Sequence, residues 1–391
     1  MRRRDFLQSL AALAGVQLLP LPAEASVPAG HFLVLIELKG GNDDLYSYPL
    51  LDEPMYSRLR PNLTIPSRNV VALSAERGLH PTLAPLKRIW DEHEMALVQG
   101  LIAGPSELSH FRAGQRWETG TTDQPNERTG WLARAWNETS SAAAGGKFDA
   151  AVFGFNSGVL RGRGLRLLEL NGIHLGDTLP VPDSSGSVNP TMAHLQHVYQ
   201  DWTEAQRALK ALGQQMPPPK LPFPSQPIGQ GLFGTAALMH SESPPAIYKL
   251  VLGSFDTHAS QRLRQEKLWT PFVSGLLAFR SVLQQSGLWR RTTIATYSEF
   301  GRRVAENGSR NGTDHGGAST QMVLGGAVRG GFYGERPRLA ELDTNGNIPG
   351  TLDFRRYYNT LWLEALAQPR PAFDVTAYPS LGLISSGKTS A

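Results

Sequence analysis

Apolar residues run along this chain in two rhythms. The first is the near-continuous run, which predicts strands buried on both faces: His31–Leu38 (HFLVLIEL), Met95–Gln99, Ala246–Leu252, Thr292–Tyr297 and Thr320–Leu324. Shorter runs at Ala150–Phe155 and Leu165–Leu170 read as further strands between glycine turns. The second rhythm recurs every three or four residues and predicts helices. One opens at Pro81 with Leu83, Leu86 and Trp90 on one face, and one runs from the Ser109 region through Trp117. A long one starts at Asn189-Pro190 and reaches about Gln215, another carries Phe272, Leu276, Phe279 and Leu283 towards Trp289, and the last spans Arg355 to Ala367. Strands alternating with helices predict βαβ units, of which His31–Leu38, the helix at Pro81 and Met95–Gln99 form the first. The expected fold class is α/β, a three-layer αβα sandwich around a mostly parallel sheet.

The apolar runs stop where reactive groups begin. His31–Leu38 ends in Lys39-Gly40-Gly41-Asn42-Asp43-Asp44, where paired glycines turn the backbone and leave an acid at the sheet edge. Ala246–Leu252 ends in Gly253-Ser254-Phe255-Asp256-Thr257-His258; in extended backbone, Asp256 and His258 point to one side and can share a metal ion. Thr292–Tyr297 ends in Ser298-Glu299, with Arg302 and Arg303 next, and an Asn- and Gly-rich loop then leads to Asp314-His315-Gly316. Ligands of open parallel sheets bind beyond the carboxyl ends of the strands, so these stretches are one candidate site. Ser109, at a helix start and followed by His110, reads either as a helix cap or as a nucleophile held against free backbone N–H groups. Taken singly, each has a plain alternative: a turn for Asn42-Asp43, a solvated loop for Asp314-His315, and a surface helix for His194 and His197.

Composition narrows the class. Hydrophobic residues make up 40% and charged residues 18%, which fits an ordinary folded chain, and Gly 40 with Pro 28 implies many loops. Pro217–Pro227 is a proline-rich connection within a domain expected to span residues 26–384, with residues 385–391 a polar tail. The formal charge of +4 carries no basic stripe, so nucleic acid is not an expected partner. Cys 0 removes disulfides and thiolate ligands, so any metal must be held by His, Asp and Glu. Residues 1–25 look like an address: Arg3-Arg4-Asp5-Phe6-Leu7, a mild apolar run, then Ala23-Glu24-Ala25 as a cleavage site. This resembles a twin-arginine signal, which implies the twin-arginine translocase as a partner during export and a periplasmic or secreted mature protein. No other stretch reaches the roughly 18 apolar residues of a membrane span, so no anchor is expected in the mature form.

Carboxylate oxygens and imidazole nitrogens suit Zn, Mn or Mg, as one or two divalent ions. The order acid, serine, acid with histidine, then Asp-His along an α/β sheet resembles the alkaline phosphatase-like superfamily. Within it the chain is similar to the exported family called domain of unknown function 1501. The matching pieces are Gly40-Gly41-Asn42-Asp43, Leu79-His80-Pro81-Thr82-Leu83-Ala84-Pro85-Leu86, Ser109-His110-Phe111, Phe255-Asp256-Thr257-His258, Ser298-Glu299-Phe300-Gly301-Arg302 and Gly312-Thr313-Asp314-His315-Gly316. The resemblance implies Asp43 as the first-strand metal ligand and Ser109 as the nucleophile, with Asp256, His258, Asp314 and His315 as further ligands. The chain departs from the phosphatase pattern in having no histidine after His315, so a second metal site would borrow from His110, His80 or Glu299. Arg302 is an expected binder of the anionic group, and Glu299 is counted with Ser109 and Arg302 among the expected catalytic residues. The expected function is an exported metal-dependent hydrolase of a small anionic ester, a phosphate or a relative of one. The alternative is an exported, metal-containing binding or assembly protein that keeps the fold without catalysis.

Overall fold

The computed structural model describes residues 30–51, 53–104, 108–139, 148–170, 190–308 and 310–385. The expected signal (1–25) and residues 386–391 of the expected tail lie outside them. Ser385, placed in the tail by its sequence, donates its backbone N–H to the Ala327 carbonyl at 2.8 Å.

The strands are β1 (Phe32–Leu38), β2 (Val71–Ala72), β3 (Gly78–Leu79), β4 (Met95–Ile102), β5 (Ala150–Phe153), β6 (Leu167–Glu169), β7 (Ile247–Leu252), β8 (Thr292–Tyr297), β9 (Arg302–Glu306), β10 (Thr313–His315), β11 (Ser319–Leu324), β12 (Gly331–Tyr333) and β13 (Leu352–Asp353). Nine of them form one sheet in the order β12-β4-β11-β8-β1-β7-β5-β6, with β13 also on β4. β1 is central and parallel to both β7 and β8, as its unbroken apolar run predicts, and all its residues are buried. Only β11 runs antiparallel, against β4 and β8, so the sheet is mostly parallel. β1 and β4 are not neighbours as the expected first βαβ unit would have them; β8 and β11 lie between.

The alternation of β1 shows the layers. Phe32, Val34, Ile36 and Leu38 face one apolar core, which is closed by the helices Pro227–Met239 and Gln261–Gln285. Leu33 and Leu35 face the other, closed by Trp117, Trp131 and the Phe354–Thr360 helix. The result is an α/β fold with helices on both faces of a mostly parallel sheet. The helix expected at Pro81 is a tight 3-10 helix over Pro81–Leu86 followed by a short α-helix over Lys87–Asp91. Pro85 inside it lacks the N–H an α-helix would use, yet Leu83 and Leu86 still reach the core.

The antiparallel β11 positions the site. The chain leaves β8 at its carboxyl end and must turn back to enter β11 from that same edge. It does so as an antiparallel β9–β10 hairpin rather than the expected open loop. Asn311 takes the left-handed conformation in its turn, with φ 51°. Glu299 and Arg302 on the way out, and Asp314 and His315 on the way back, therefore meet at the end of β1 and β7.

Candidate metal centre and its surroundings

The turn after β1 fixes the frame. Gly40 and Gly41 have φ of +109° and +79°, and a Cβ would lie 2.5 Å from the Asp256 backbone nitrogen and from the Phe300 ring respectively. Only glycine allows this approach. It lets the buried Arg302 guanidinium thread between segments, donating to the carbonyls of Gly41 (2.8 Å), Thr313 (2.9 Å), Phe255 (2.9 Å) and Gly40, and to Asp256 Oδ1 at 2.8 Å. These bonds engage all three guanidinium nitrogens. The anion-binding part expected of Arg302 is thus not the one its geometry gives it: it braces three segments and points Asp256 outward.

Three histidine rings converge on that carboxylate. Asp256 Oδ1 lies 3.0 Å from His258 Nε2, 3.1 Å from His315 Nε2 and 3.4 Å from His110 Nε2. The opposite nitrogen of each ring is held by an acceptor. His258 Nδ1 meets Asp314 Oδ1 at 2.8 Å, His315 Nδ1 meets the Leu108 carbonyl at 2.6 Å, and His110 Nδ1 meets Glu299 Oε2. A ring that donates from Nδ1 and is neutral carries a lone pair on Nε2. The His110 Nε2 atom is buried with no hydrogen-bond partner, and the Nε2 atoms of His258 and His315 face each other at 3.0 Å.

Burial, helped by the Arg302 charge, lowers His315 below its ordinary value against the pull of the Leu108 carbonyl and Asp256. Partial burial works to raise Asp256, but the Arg302 hydrogen bond and charge win and hold it well below the usual carboxylate range. Burial likewise works to raise Asp314, and the His258 and Asn307 hydrogen bonds outweigh it. Glu299 goes the other way: its burial raises it despite the His110 contact. Lone pairs and a carboxylate turned on one another repel unless a cation lies among them. His110, Asp256 and His315 each offer a ligand atom within 4.8 Å of the others, and His258 adds a fourth beside them. Three imidazoles with one carboxylate fit Zn or Mn better than Mg, which prefers oxygen. Glu299 and Asp314 sit behind the rings, where such partners fix tautomer and orientation.

Ser109 is the N-cap residue of the His110–Thr119 helix, exposed, with extended φ −90° and ψ 118°, and its side chain makes no cap hydrogen bond. It lies between Leu108, whose carbonyl holds His315, and His110 itself. Its neighbours on both sides therefore touch the cluster.

Asp43 and Asp44 stand apart. Asp43 is fully buried and accepts from Arg60 Nη1 (2.7 Å), Gln261 Nε2 (2.6 Å) and the N–H groups of Leu45 and Tyr46. The carboxylate expected to be the first-strand ligand is instead a helix cap and the partner of a buried arginine. Asp44 takes Thr320 Oγ1 at 2.7 Å and faces Arg77. His80 stacks on Tyr46, with ring centroids 4.6 Å apart, so of the proposed donors only His110 and Glu299 reach the cluster. Sequence reasoning missed Arg60, Gln261, Asn307 and the Leu108 carbonyl; no apolar rhythm or motif marks any of them, because each acts through the tertiary fold on a residue of another segment.

Residues 108–348 match the family model described as "Protein of unknown function (DUF1501)". No curated protein sequence matches the chain. Solved structures similar to it include a protein in the alkaline phosphatase superfamily from Vibrio parahaemolyticus, at 11% identity over 85% of this chain and 71% of that one, with a TM-score of 0.35. A phosphonate monoester hydrolase of Agrobacterium radiobacter shares 11% identity over 85% and 73%, with a TM-score of 0.37. A sulfatase from Pseudoalteromonas sp. shares 11% over 98% and 78%, with a TM-score of 0.37. Superpositions this loose assign no chemistry to the chain.

Proposed function

The chain belongs to the DUF1501 family, and from its metal centre we propose that it is an exported, metal-dependent hydrolase of phosphate or related esters with Ser109 as nucleophile. The observation that carries this reading is the convergence of His110, His258 and His315 Nε2 on Asp256 Oδ1, with Ser109 one residue from His110. Those four side chains would hold the ion, and Zn suits them best. A divalent ion so held would supply Lewis-acid polarisation of an ester oxygen and a lowered pKa for a neighbouring hydroxyl.

The chain's own groups do the rest. Ser109 presents its hydroxyl at the N-terminus of a helix, where the helix dipole favours developing negative charge. Glu299 and the Leu108 carbonyl hold the Nδ1 protons of His110 and His315, which keeps both Nε2 atoms turned inward. Arg302 keeps Asp256 ionised and aimed. Ser109→Ala is expected to abolish turnover of an activated aryl phosphate or phosphodiester, with metal content unchanged and stability altered by less than about 0.5 kcal/mol. Retained turnover would remove Ser109 from the mechanism.

A second reading is favoured by the sealed Asp43 and the buried Arg302, which leave one candidate ion among the described residues and turn Arg302 to the chain rather than to an anion. On it the chain is a metal-containing binding or assembly protein. Metal content without hydrolysis across phosphate and sulfate esters would decide for that reading. Export belongs to either, and rests on Arg3-Arg4 with the Ala23-Glu24-Ala25 site. Replacing both arginines with Lys is expected to retain precursor in the cell, and normal periplasmic accumulation would refute it. Among the described residues no helix is long and apolar enough to cross a membrane.

A further inference from the structure

A second concavity opens on the same edge of the sheet, beside the metal centre. It has a volume of about 440 Å³ and lies between the carboxyl ends of β5 and β7 and the start of the Pro227–Met239 helix. Phe153, Phe155, Leu170, Ile228, Leu250 and Val251 give it apolar walls. Its volume is within the range of small-molecule pockets. Asn156, the polar side chain of the lining, is turned away from ligand duty: it donates to Glu37 at 3.0 Å and to Glu118 at 2.9 Å. Phe155, 88% exposed, lines the cavity at its rim as a large apolar group facing water.

Lys39 joins this cavity to the metal centre. It lines the cavity and is exposed, and among the described residues its ammonium is in no ion pair. Its carbonyl accepts from Phe255 N–H at 3.0 Å, one residue before Asp256. An apolar hollow and a cation at its edge thus share the strand-end side of the sheet with the metal centre, linked through the Lys39–Phe255 hydrogen bond. We propose that this cavity binds the apolar alkyl or aryl portion of an anionic ester whose charged group lies between Lys39 and the histidine cluster. The proposal deepens the hydrolase reading by naming its substrate class, an anionic amphiphile, and rests on that reading for its chemistry but not for its binding.

The test is isothermal titration of the metal-loaded full chain with two phosphonates that it cannot hydrolyse as esters, octylphosphonate and methylphosphonate, and with octanol as the uncharged control. Octylphosphonate is expected to bind about 100-fold more tightly than methylphosphonate, since each buried methylene adds to affinity, and at least about tenfold more tightly than octanol. Val251→Trp, which fills the cavity, is expected to cut the chain-length preference to about fivefold or less and leave methylphosphonate binding unchanged. Lys39→Gln is expected to weaken both phosphonates about five- to tenfold. Should Val251→Trp fail to fold, Phe155→Ala at the exposed rim is expected to lower the octyl preference about threefold. Equal affinity for the two phosphonates, or an octyl preference that survives both cavity variants, overturns the proposal. Octanol binding as tightly as octylphosphonate overturns the anionic class. Octyl preference in a protein that hydrolyses no ester removes the hydrolase reading and leaves the cavity standing; hydrolysis without chain-length preference does the reverse.

Discussion

Two acid-bearing regions lie at the carboxyl ends of the same central strands, and their chemistry is opposite. Around Asp43 every neighbour is a donor: Arg60, Gln261 and two backbone N–H groups. Around Asp256 the buried Arg302 donates, and the other neighbours are three ring nitrogens whose opposite ring atoms each meet an oxygen acceptor. Asp43 is sealed from solvent, whereas the Asp256 side chain is 45% exposed. An acid at the end of a strand is thus a ligand or a structural anchor according to what its neighbours donate. Satisfied acids bind chain to chain; an acid facing lone pairs is arranged for a cation.

The largest effect that would test this contrast is on the sealed side. Arg60→Ala leaves Asp43 buried beside no counter-charge, and the expected loss is about 3–5 kcal/mol, measured as a shift of the denaturation midpoint. A loss below about 1 kcal/mol would make the Asp43 region no anchor at all.

Next comes a pH dependence from the same side. Burial, and secondarily the Arg262 charge, lowers His80 from 6.5 to about 4. As pH falls below 6.5 the unfolded chain takes this proton before the folded one does. The stability held in neutral His80 is therefore complete above pH 6.5 and is lost as pH falls towards 4, by roughly 3 kcal/mol in all. His80→Gln is expected to flatten that part of the stability profile; an unchanged slope would place the titration elsewhere.

On the exposed side the effects should depend on metal. Chelation is expected to lower the melting temperature and added zinc to restore it, by the equivalent of about 2.7 kcal/mol when free zinc stands at 100 times its Kd. Arg60→Ala should destabilise with or without chelator, so the two regions separate in one experiment. The smallest expected effect is that of Glu299→Gln, which keeps the shape behind His110 and removes the charge. Metal affinity should fall about 10- to 100-fold in a competition titration, with the metal-free protein nearly as stable as before. Equal affinity would detach Glu299 from the centre.

The sequence made the frame legible and the partners illegible. β1, β7, β8 and the helix holding Phe272 to Leu283 are readable because burial imposes local periodicity on them. The reactive stretches Asp256-Thr257-His258 and Asp314-His315 are readable for the same reason, as polar residues where such runs end. The helix Pro227–Met239 was not foreseen, because its glycines depress helix propensity and tertiary packing against Phe153 and Leu250 overrides them. The fates of Asp43 and Arg302 were hidden for a deeper reason. Arg60 comes from a short segment with no apolar rhythm, and the carbonyls of Gly40, Gly41, Phe255 and Thr313 have no side-chain signature. Which acid is sealed and which is open is decided by contacts that bring together separate segments, from Arg60 beside Asp43 to Gln261 at 218 positions away.

The most direct test of the metal centre is elemental analysis of the protein purified without chelator, set beside that of His258→Ala prepared in the same way. The wild type is expected to carry about one divalent ion per chain, zinc foremost, and the variant to carry little or none. A wild type free of metal that takes up none when zinc is added, or a variant with the same content as the wild type, would contradict the assignment of these histidines and Asp256 as a metal centre.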